Sequence, residues 1–244
     1  MIKVLIPIAG KDGNESQSQY IRTLYEIEKK TIMQHVYESL NQIKEADFIV
    51  ILRHKDIINY HLDDMIKLMI PGVKIVVANG DTAGAACSCL LAIDEICESE
   101  PLIISGSDQL LQINLQDVID DFQNRNLDGG AITFDDIHPR WSYLRLDDAG
   151  YVIEAAEKRP ISRHATTGFY YYKKGGDFII AVQNMIKKGA YVNGQYYVCP
   201  AFNEMVLAGK KIGTYEISKE DYFSLAQQKG VDDYERYLRE RETR

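Results

Sequence analysis

Four short, almost uninterrupted apolar runs, "IKVLIPI", "FIVIL", "VKIVVA" and "PLIIS", punctuate the first half of this chain. Between the first two, Ile32, Val36, Leu40 and Ile43 recur at the spacing of a helix face. A strand with water on one face alternates apolar and polar residues, so continuous β-branched runs separated by helical patterns require strands covered on both faces. The pattern predicts an α/β chain whose sheet is mainly parallel and doubly wound. A further strand, turn and helix unit is expected over about 73–97, because Ala86, Cys89, Leu90, Ile93 and Cys97 keep helical spacing after the loop "NGDTAGA".

After Asp128 the rhythm changes. "GGAITF", "SYLRLDDAGYVIEAAEK" and "ATTGFYYY" read as strands, with Asp148-Ala149-Gly150 as turn residues between two of them. The tail "DDYERYLRERETR" reads as a charged helix with a thin apolar stripe. No Pro/Gly/Ser-rich linker divides the 244 residues, 45% of which are hydrophobic, so a single domain over 1–244 is expected. Its halves meet near residue 127.

A formal charge of -8 excludes the broad basic field that nucleic acid or an anionic membrane surface requires. The opening "MIKVLIPIAG" is unlike a signal peptide, and no apolar stretch approaches the ~20 residues of a membrane span. A cytoplasmic location is expected, with no nucleic-acid or membrane partner; a homo-oligomer is compatible with the sequence. Cys87, Cys89, Cys97 and Cys199 lack CxxC spacing and read as reduced thiols in or near the core.

Three segments carry candidate chemistry. "PLIISGSDQL" puts Asp108 just past the carboxyl end of a buried strand, where open α/β sheets collect ligands. A carboxylate there can hold Mg²⁺ against phosphate oxygens, or cap the next turn. "ANGDTAGAAC" offers small residues and backbone amides at a helix start, as a phosphate or base site needs and as any tight strand-to-helix turn also shows. "EAAEKRPISRHATTGFYYY" sets Lys158, Arg159 and Arg163 near Glu157, either a phosphate-facing cluster or a solvated basic loop. His54 and His61 lack a third ligand for a metal, and Trp141 and the Tyr run read first as packing, with Tyr170 or Tyr172 open to a ligand-facing role.

The order of "PIAG", "GDTAGAAC", "SGSDQ", "LDGGAITF", "HPRWSYLRLDDAGYV", "AAEKRPIS", "TTGFYYY" and "GQYYVCPAFNEMVLAGKKIGTYEI" resembles the sugar nucleotidyltransferase family, over nearly the whole chain. More narrowly, it resembles the branch tied to bacterial capsule and surface-polysaccharide biosynthesis. The resemblance implies a Rossmann-like three-layer fold with an inserted β-rich, substrate-binding part of the GT-A kind. It implies transfer of a nucleoside monophosphate from a nucleoside triphosphate to a sugar 1-phosphate or similar small phosphorylated acceptor, with Mg²⁺ or Mn²⁺ and release of pyrophosphate. By motif, Asp108 is similar to the metal-binding Asp, and Lys158 to the Lys of E-K-x-P that touches the substrate phosphate. Nucleotide contacts are implied for Ile8, Ala9, Gly10, Asn79, Gly80, Asp81, Thr82, Gly84, Ala85 and Ser107. Acceptor contacts are implied for Gln109, Ser142, Glu157, Lys158, Thr167 and Gly168; Asn203 lies in a P-x-x-N-E segment with either an acceptor-side or a helix-packing role.

Two departures stand out. The family's first loop reads A-G-G-x-G-x-R followed by P-K-P-L, whereas this chain has "AGKDGNESQSQ" and "YIRTLYEI". Lys11 and Arg22 are the cations left to neutralise the triphosphate, and Arg is not geometrically interchangeable with Lys. A second metal carboxylate near the C-terminus is matched by Ser224, with Asp221 as the substitute acid if the backbone brings it round. The same residues also fit a catalytically weak homologue that binds a nucleotide or sugar phosphate, and a metal-dependent glycosyltransferase of similar topology.

Overall fold

The computed structural model describes residues 1–9 and 23–242. In chain order, β1 (Ile2–Pro7) is followed by a small hairpin, β2 (Glu26–Ile27) and β3 (Lys30–Thr31), then α1 (Ile32–Leu40) and β4 (Ala46–Arg53). Next come α2 (His54–Tyr60), α3 (Leu62–Met69), β5 (Lys74–Ala78), α4 (Ala85–Leu90), β6 (Leu102–Ser105), β7 (Gln109–Leu111) and α5 (Leu115–Asn124). The second half holds β8 (Gly129–Asp135), β9 (Ser142–Leu146), β10 (Val152–Glu157) and β11 (His164–Tyr172). It continues with α6 (Gly175–Lys187), α7 (Ala201–Leu207), β12 (Ile212–Glu216), β13 (Tyr222–Ser224) and α8 (Gln228–Glu242).

The four apolar runs are β1, β4, β5 and β6, and they pair in parallel in the order β6-β1-β4-β5. Because side chains alternate faces along a strand, each run feeds two cores. Val4, Ile6, Val50, Leu52 and Ile103 join one cluster, backed by α1, α3, α5 and α8. Leu5, Ile49, Ile51, Leu102 and Ile104 join the other, backed by α4, α6 and α7. Both faces are covered, which is what the missing polar alternation demanded.

The β-rich half continues the same sheet. β11 pairs antiparallel with β6, β8 and β9, β10 closes one edge against β9, and β12 pairs in parallel with β8. The expected turn joins β9 to β10, with Gly150 at φ +81° and its N–H donating to Asp147 O at 3.0 Å. A separate ribbon, β13 on β7, carries the chain into the charged helix α8, whose Val231 and Tyr234 form its buried stripe.

One boundary differs from the sequence reading. The helix after "NGDTAGA" ends at Leu90, not near Cys97: Leu91 and Ala92 donate to Ser88 and Cys89, three residues back, and the chain tightens into a short 3-10 turn over Ile93–Glu95. Cys89 and Cys199 are buried free thiols, as expected of core cysteines, while Cys97 is partly exposed. Among the described residues, no helix is long and apolar enough to cross a membrane.

Candidate active site

The carboxyl ends of the parallel strands hold most of the nucleotide-side candidates. Ile8 and Ala9 prolong β1 and are buried, with the Ile8 N–H donating to Ile51 O at 2.9 Å. Gly10, Lys11, Gly13 and Arg22 lie outside the described residues. After β5, Asn79, Gly80 and Asp81 are exposed, Thr82 Oγ1 sits 2.6 Å from Ser88 Oγ, and Ala85 opens α4.

Gly84 shows why this loop needs glycine. Its backbone is at φ +116° and ψ 172°, a region populated almost solely by glycine, and a Cβ there would stand 2.5 Å from Tyr196 O and 2.6 Å from Tyr196 N. The same Tyr196 donates its N–H to Ala83 O at 2.7 Å and accepts from the Ala86 N–H at 3.0 Å. The 79–84 loop is therefore stitched to the 195–197 segment, 110 residues away in sequence by the count from Ala86 to Tyr196.

Asp108, beside Ser107, follows β6. The register of the β7–β13 ribbon puts Ser224 opposite Gln109, and the Leu225 N–H donates to Asp108 O at 2.7 Å. Asp221 instead faces Gln112, whose N–H donates to Asp221 O at 2.8 Å. At ~3.3 Å per residue that is about 13 Å along the ribbon from Asp108. The backbone does not bring Asp221 round; the residue beside Asp108 is Ser224. Gln109 is buried, its Nε2 donating to Ser105 Oγ at 3.1 Å, and its Oε1 occupies the space a Cβ on Gly168 would need, 2.5 Å away. Gly168, at φ +91°, lies where the β11–β8 register shifts between Thr166 and Tyr170.

On the other side of Gly168 stand the acceptor-side candidates. Ala165 pairs with Tyr143, which sets Ser142 near Thr166, and Ser142 in turn faces Glu157 across β9 and β10. The Ser142 hydroxyl donates to the Glu157 carboxylate. Burial pushes Glu157 above the usual carboxylate range, and the Ser142 bond and the Lys158 charge pull it back. Lys158 holds a left-handed backbone, φ +54°, secured by its N–H donating to Trp141 O at 3.0 Å. Its ammonium donates to the Tyr197 hydroxyl at 2.8 Å and lies 4.9 Å from the Tyr197 ring centre.

Arg159 and Arg163 turn into exposed ion pairs with Glu154 and Asp135, so the basic cluster resolves into one site-side cation, Lys158, and two surface pairs. Thr167 is buried with its hydroxyl donating to Ile132 O at 3.4 Å, a sheet contact. Asn203 spends both ends of its amide on the outer edge of β10, accepting from Ala155 N and donating to Ala155 O, each at 2.8 Å. That satisfies an edge strand's main chain, and the side chain also lines a cavity of about 570 Å³ shared with Glu157, Lys158 and Tyr191. Tyr170 and Tyr172 are buried, as packing residues are.

Two residues escaped the sequence reading. Tyr197 lies 39 positions from Lys158, without periodicity to link them. Asp136 ties the 136–141 loop to the C-terminal part: burial opposes its ionisation, but the Lys219 ammonium at 2.7 Å, the N–H groups of His138 and Ile137 and the Trp141 indole hold it well below the usual carboxylate range. A signal was present, since Asp136 followed by a turn is an Asx-type pattern.

Among the described residues no group of three or more His, Cys, Asp or Glu side chains could hold a metal, so Asp108 offers one carboxylate flanked by the Ser224 and Gln109 positions. That set fits Mg²⁺, which keeps several waters and takes one or two carboxylates together with substrate phosphates.

Comparison with known proteins bears on the family and the fold. The family model for nucleotidyl transferases matches residues 16–200. A bifunctional protein GlmU from Streptococcus agalactiae serotype V is 22% identical over 224 residues, covering 87% of this chain and 46% of that protein. One from Streptococcus thermophilus is 21% identical over the same length, so the chain spans about half the length of the curated relatives it matches. Among solved structures, a nucleoside-diphosphate-sugar pyrophosphorylase from Vibrio cholerae superposes with a TM-score of 0.76 at 20% identity, covering 97% of this chain and 100% of that one. A UDP-glucose pyrophosphorylase complexed with UDP-glucose gives 0.77 at 14%, covering 99% and 100%. The fold is shared throughout, and with the family model matching well over half of its residues, this chain belongs to the nucleotidyl transferase family.

Proposed function

We propose that this protein joins a nucleoside monophosphate, taken from a nucleoside triphosphate, to a sugar 1-phosphate or a similar small phosphorylated acceptor, releasing pyrophosphate. The observation that carries the reading is the sheet register around Gly168, which sets Asp108–Gln109 on one flank and Ser142–Glu157–Lys158 on the other, although these groups are 33 to 50 residues apart in sequence. In this reaction an oxygen of the acceptor phosphate forms a bond to the α-phosphorus, and the α–β bridging bond breaks with its electron pair leaving on pyrophosphate. The nucleophile is already ionised, so the site has to position and neutralise more than it has to move protons.

Lys158 suits that task as a point charge on a fixed backbone, held by Trp141 and Tyr197. Glu157 accepts hydroxyl protons of the acceptor, and the 79–84 loop receives the base and ribose. Asp108 would hold Mg²⁺, which supplies charge neutralisation at phosphate oxygens when bound. Lys11 and Arg22 are assigned the remaining triphosphate charge. The resemblance to capsule-pathway enzymes supports a role in surface-polysaccharide synthesis, inside the cell.

One observation favours a second reading, binding without turnover: Ser224 rather than an acid stands beside Asp108. Losing one charge-stabilising group commonly costs about 10²- to 10³-fold in rate. The deciding experiment is pyrophosphate release with Mg²⁺ from CTP, UTP, GTP, ATP and dTTP, each against a pool of sugar 1-phosphates and other small phosphorylated metabolites. Turnover lost in Asp108→Ala is expected. Thermal stabilisation by a nucleotide without any pyrophosphate release would replace the transferase with a binding protein.

A further inference from the structure

Between the 136–141 loop and the β13–α8 segment lies a second cleft, of about 320 Å³, lined by Phe134, Arg140, Trp141, Tyr222, Ser224 and Lys229 among others. Its floor is aromatic. The Phe134, Trp141 and Tyr222 rings pack with centroids 4.9 to 5.6 Å apart. Its rim is mixed: Arg140, Lys219 and Lys229 stand among Glu220 and Asp233, and of these Lys219 and Asp233 are held in ion pairs with Asp136 and Arg236.

Two of the rim cations are treated unlike the third and unlike others nearby. Arg145, Arg159 and Arg163 each pair with a carboxylate, and Lys219 is committed to Asp136. Arg140 and Lys229 have no ion pair among the described residues. Arg140 instead lays its guanidinium over the Trp141 ring, 3.9 Å from the ring centre. A guanidinium stacked on an indole has its plane fixed and its N–H edge presented, which suits the bidentate capture of phosphate, and a lysine beside it adds a movable point charge. A cleft of this size with an apolar floor and a few converging polar groups is the usual form of a small-molecule site.

We propose that this cleft is a second ligand site, taking a small organic phosphate whose anion meets Arg140 and Lys229 while its body covers the Trp141–Tyr222 floor. It touches the reaction site through the main chain at two places. Trp141 O accepts the Lys158 N–H at 3.0 Å, and Ser224 pairs with Gln109 next to Asp108. A molecule seated on Trp141 therefore bears on the backbone that holds Lys158.

Trp141 is the chain's single tryptophan, so its emission reports on the cleft it floors, and the Arg140 and Lys229 variants separate that response from one arising at neighbouring Lys158. The test titrates the whole protein, without nucleotide or Mg²⁺, with phenyl phosphate, ribose 5-phosphate, inorganic phosphate and uncharged ribose. It needs no turnover and so stands or falls apart from the transferase reading. The expected result is a saturable emission change with the two organic phosphates, weaker with inorganic phosphate and absent with ribose. Arg140→Gln and Lys229→Gln, both at exposed positions, should each weaken binding about tenfold or more, as loss of a charge-assisted contact does. Asp108→Asn, which takes a carboxylate charge away from beside the Tyr222 floor, should leave the response in place or strengthen it. No saturable response, a response untouched in Arg140→Gln, inorganic phosphate binding as tightly as the organic probes, or loss of the response in Asp108→Asn would each overturn the proposal.

Discussion

Replacing Gly84 with alanine tests whether the nucleotide-side loop is held in the way its contacts indicate. Two costs arise. The backbone at φ +116° and ψ 172° is strained for any residue with a Cβ, by about 1 to 3 kcal/mol. The new methyl would also stand 2.5 and 2.6 Å from Tyr196 O and N, main-chain atoms that cannot yield cheaply because they bond Ala86 and Ala83. Overpacking of this kind costs about 1 to 3 kcal/mol, so the two together come to about 4 kcal/mol. For a chain of this length that corresponds to a melting temperature lower by about 8 to 16 °C. The control lies in the same loop: a Cβ on Gly80 meets nothing within 4 Å, and Gly80→Ala should stay within about 0.5 kcal/mol of the parent. Thermal and urea unfolding of the three proteins side by side decide it. Gly84→Ala melting within about 2 °C of the parent, or Gly80→Ala losing as much, would refute the argument.

Other perturbations separate the roles assigned above. Asn203→Ala removes both bonds to the Ala155 main chain and should cost about 2 to 3 kcal/mol by urea unfolding; a cost near zero would mean water replaces the amide freely. Glu157 has a raised folded-state value, so its stability contribution is intact while it is protonated in both states and falls as pH rises from about 4.3 through the raised value. Glu157→Gln should remove that decline, so the variant gains on the parent across that window and holds a constant difference above it; a difference independent of pH would contradict the burial argument. Tyr197→Phe should lower kcat about tenfold with little effect on the KM for nucleotide, and should cost nothing further once Lys158 is methionine. An equal cost in the Lys158→Met background would show that the hydroxyl acts elsewhere.

The parallel half was legible because burial on both faces leaves a direct mark: Val4, Leu5 and Ile6 are all apolar, and the structure sends Leu5 to one core and its neighbours to the other. Asp108 at a strand end and the β9–β10 turn followed from equally local signals. The misjudged helix end near Leu90 shows the limit of periodicity, since apolar spacing persists through a 3-10 turn that the hydrogen bonds do not extend as α-helix. Asp221 against Ser224 was settled only by the register of a three-residue ribbon, which no spacing encodes. Tyr197 and the two-handed bond of Asn203 to Ala155 were invisible for the same reason: each joins residues 39 or 48 positions apart.

The most direct test of the central claim runs the reaction backwards. Labelled pyrophosphate and Mg²⁺ are incubated with a panel of nucleoside-diphosphate sugars, and label entering a nucleoside triphosphate is measured for the parent, Asp108→Ala and Lys158→Met. Transfer at the α-phosphorus predicts labelled triphosphate from at least one donor in the parent and a loss of about 10²-fold or more in each variant. Release of free nucleoside diphosphate with no labelled triphosphate would instead show a glycosyl transfer and contradict the account.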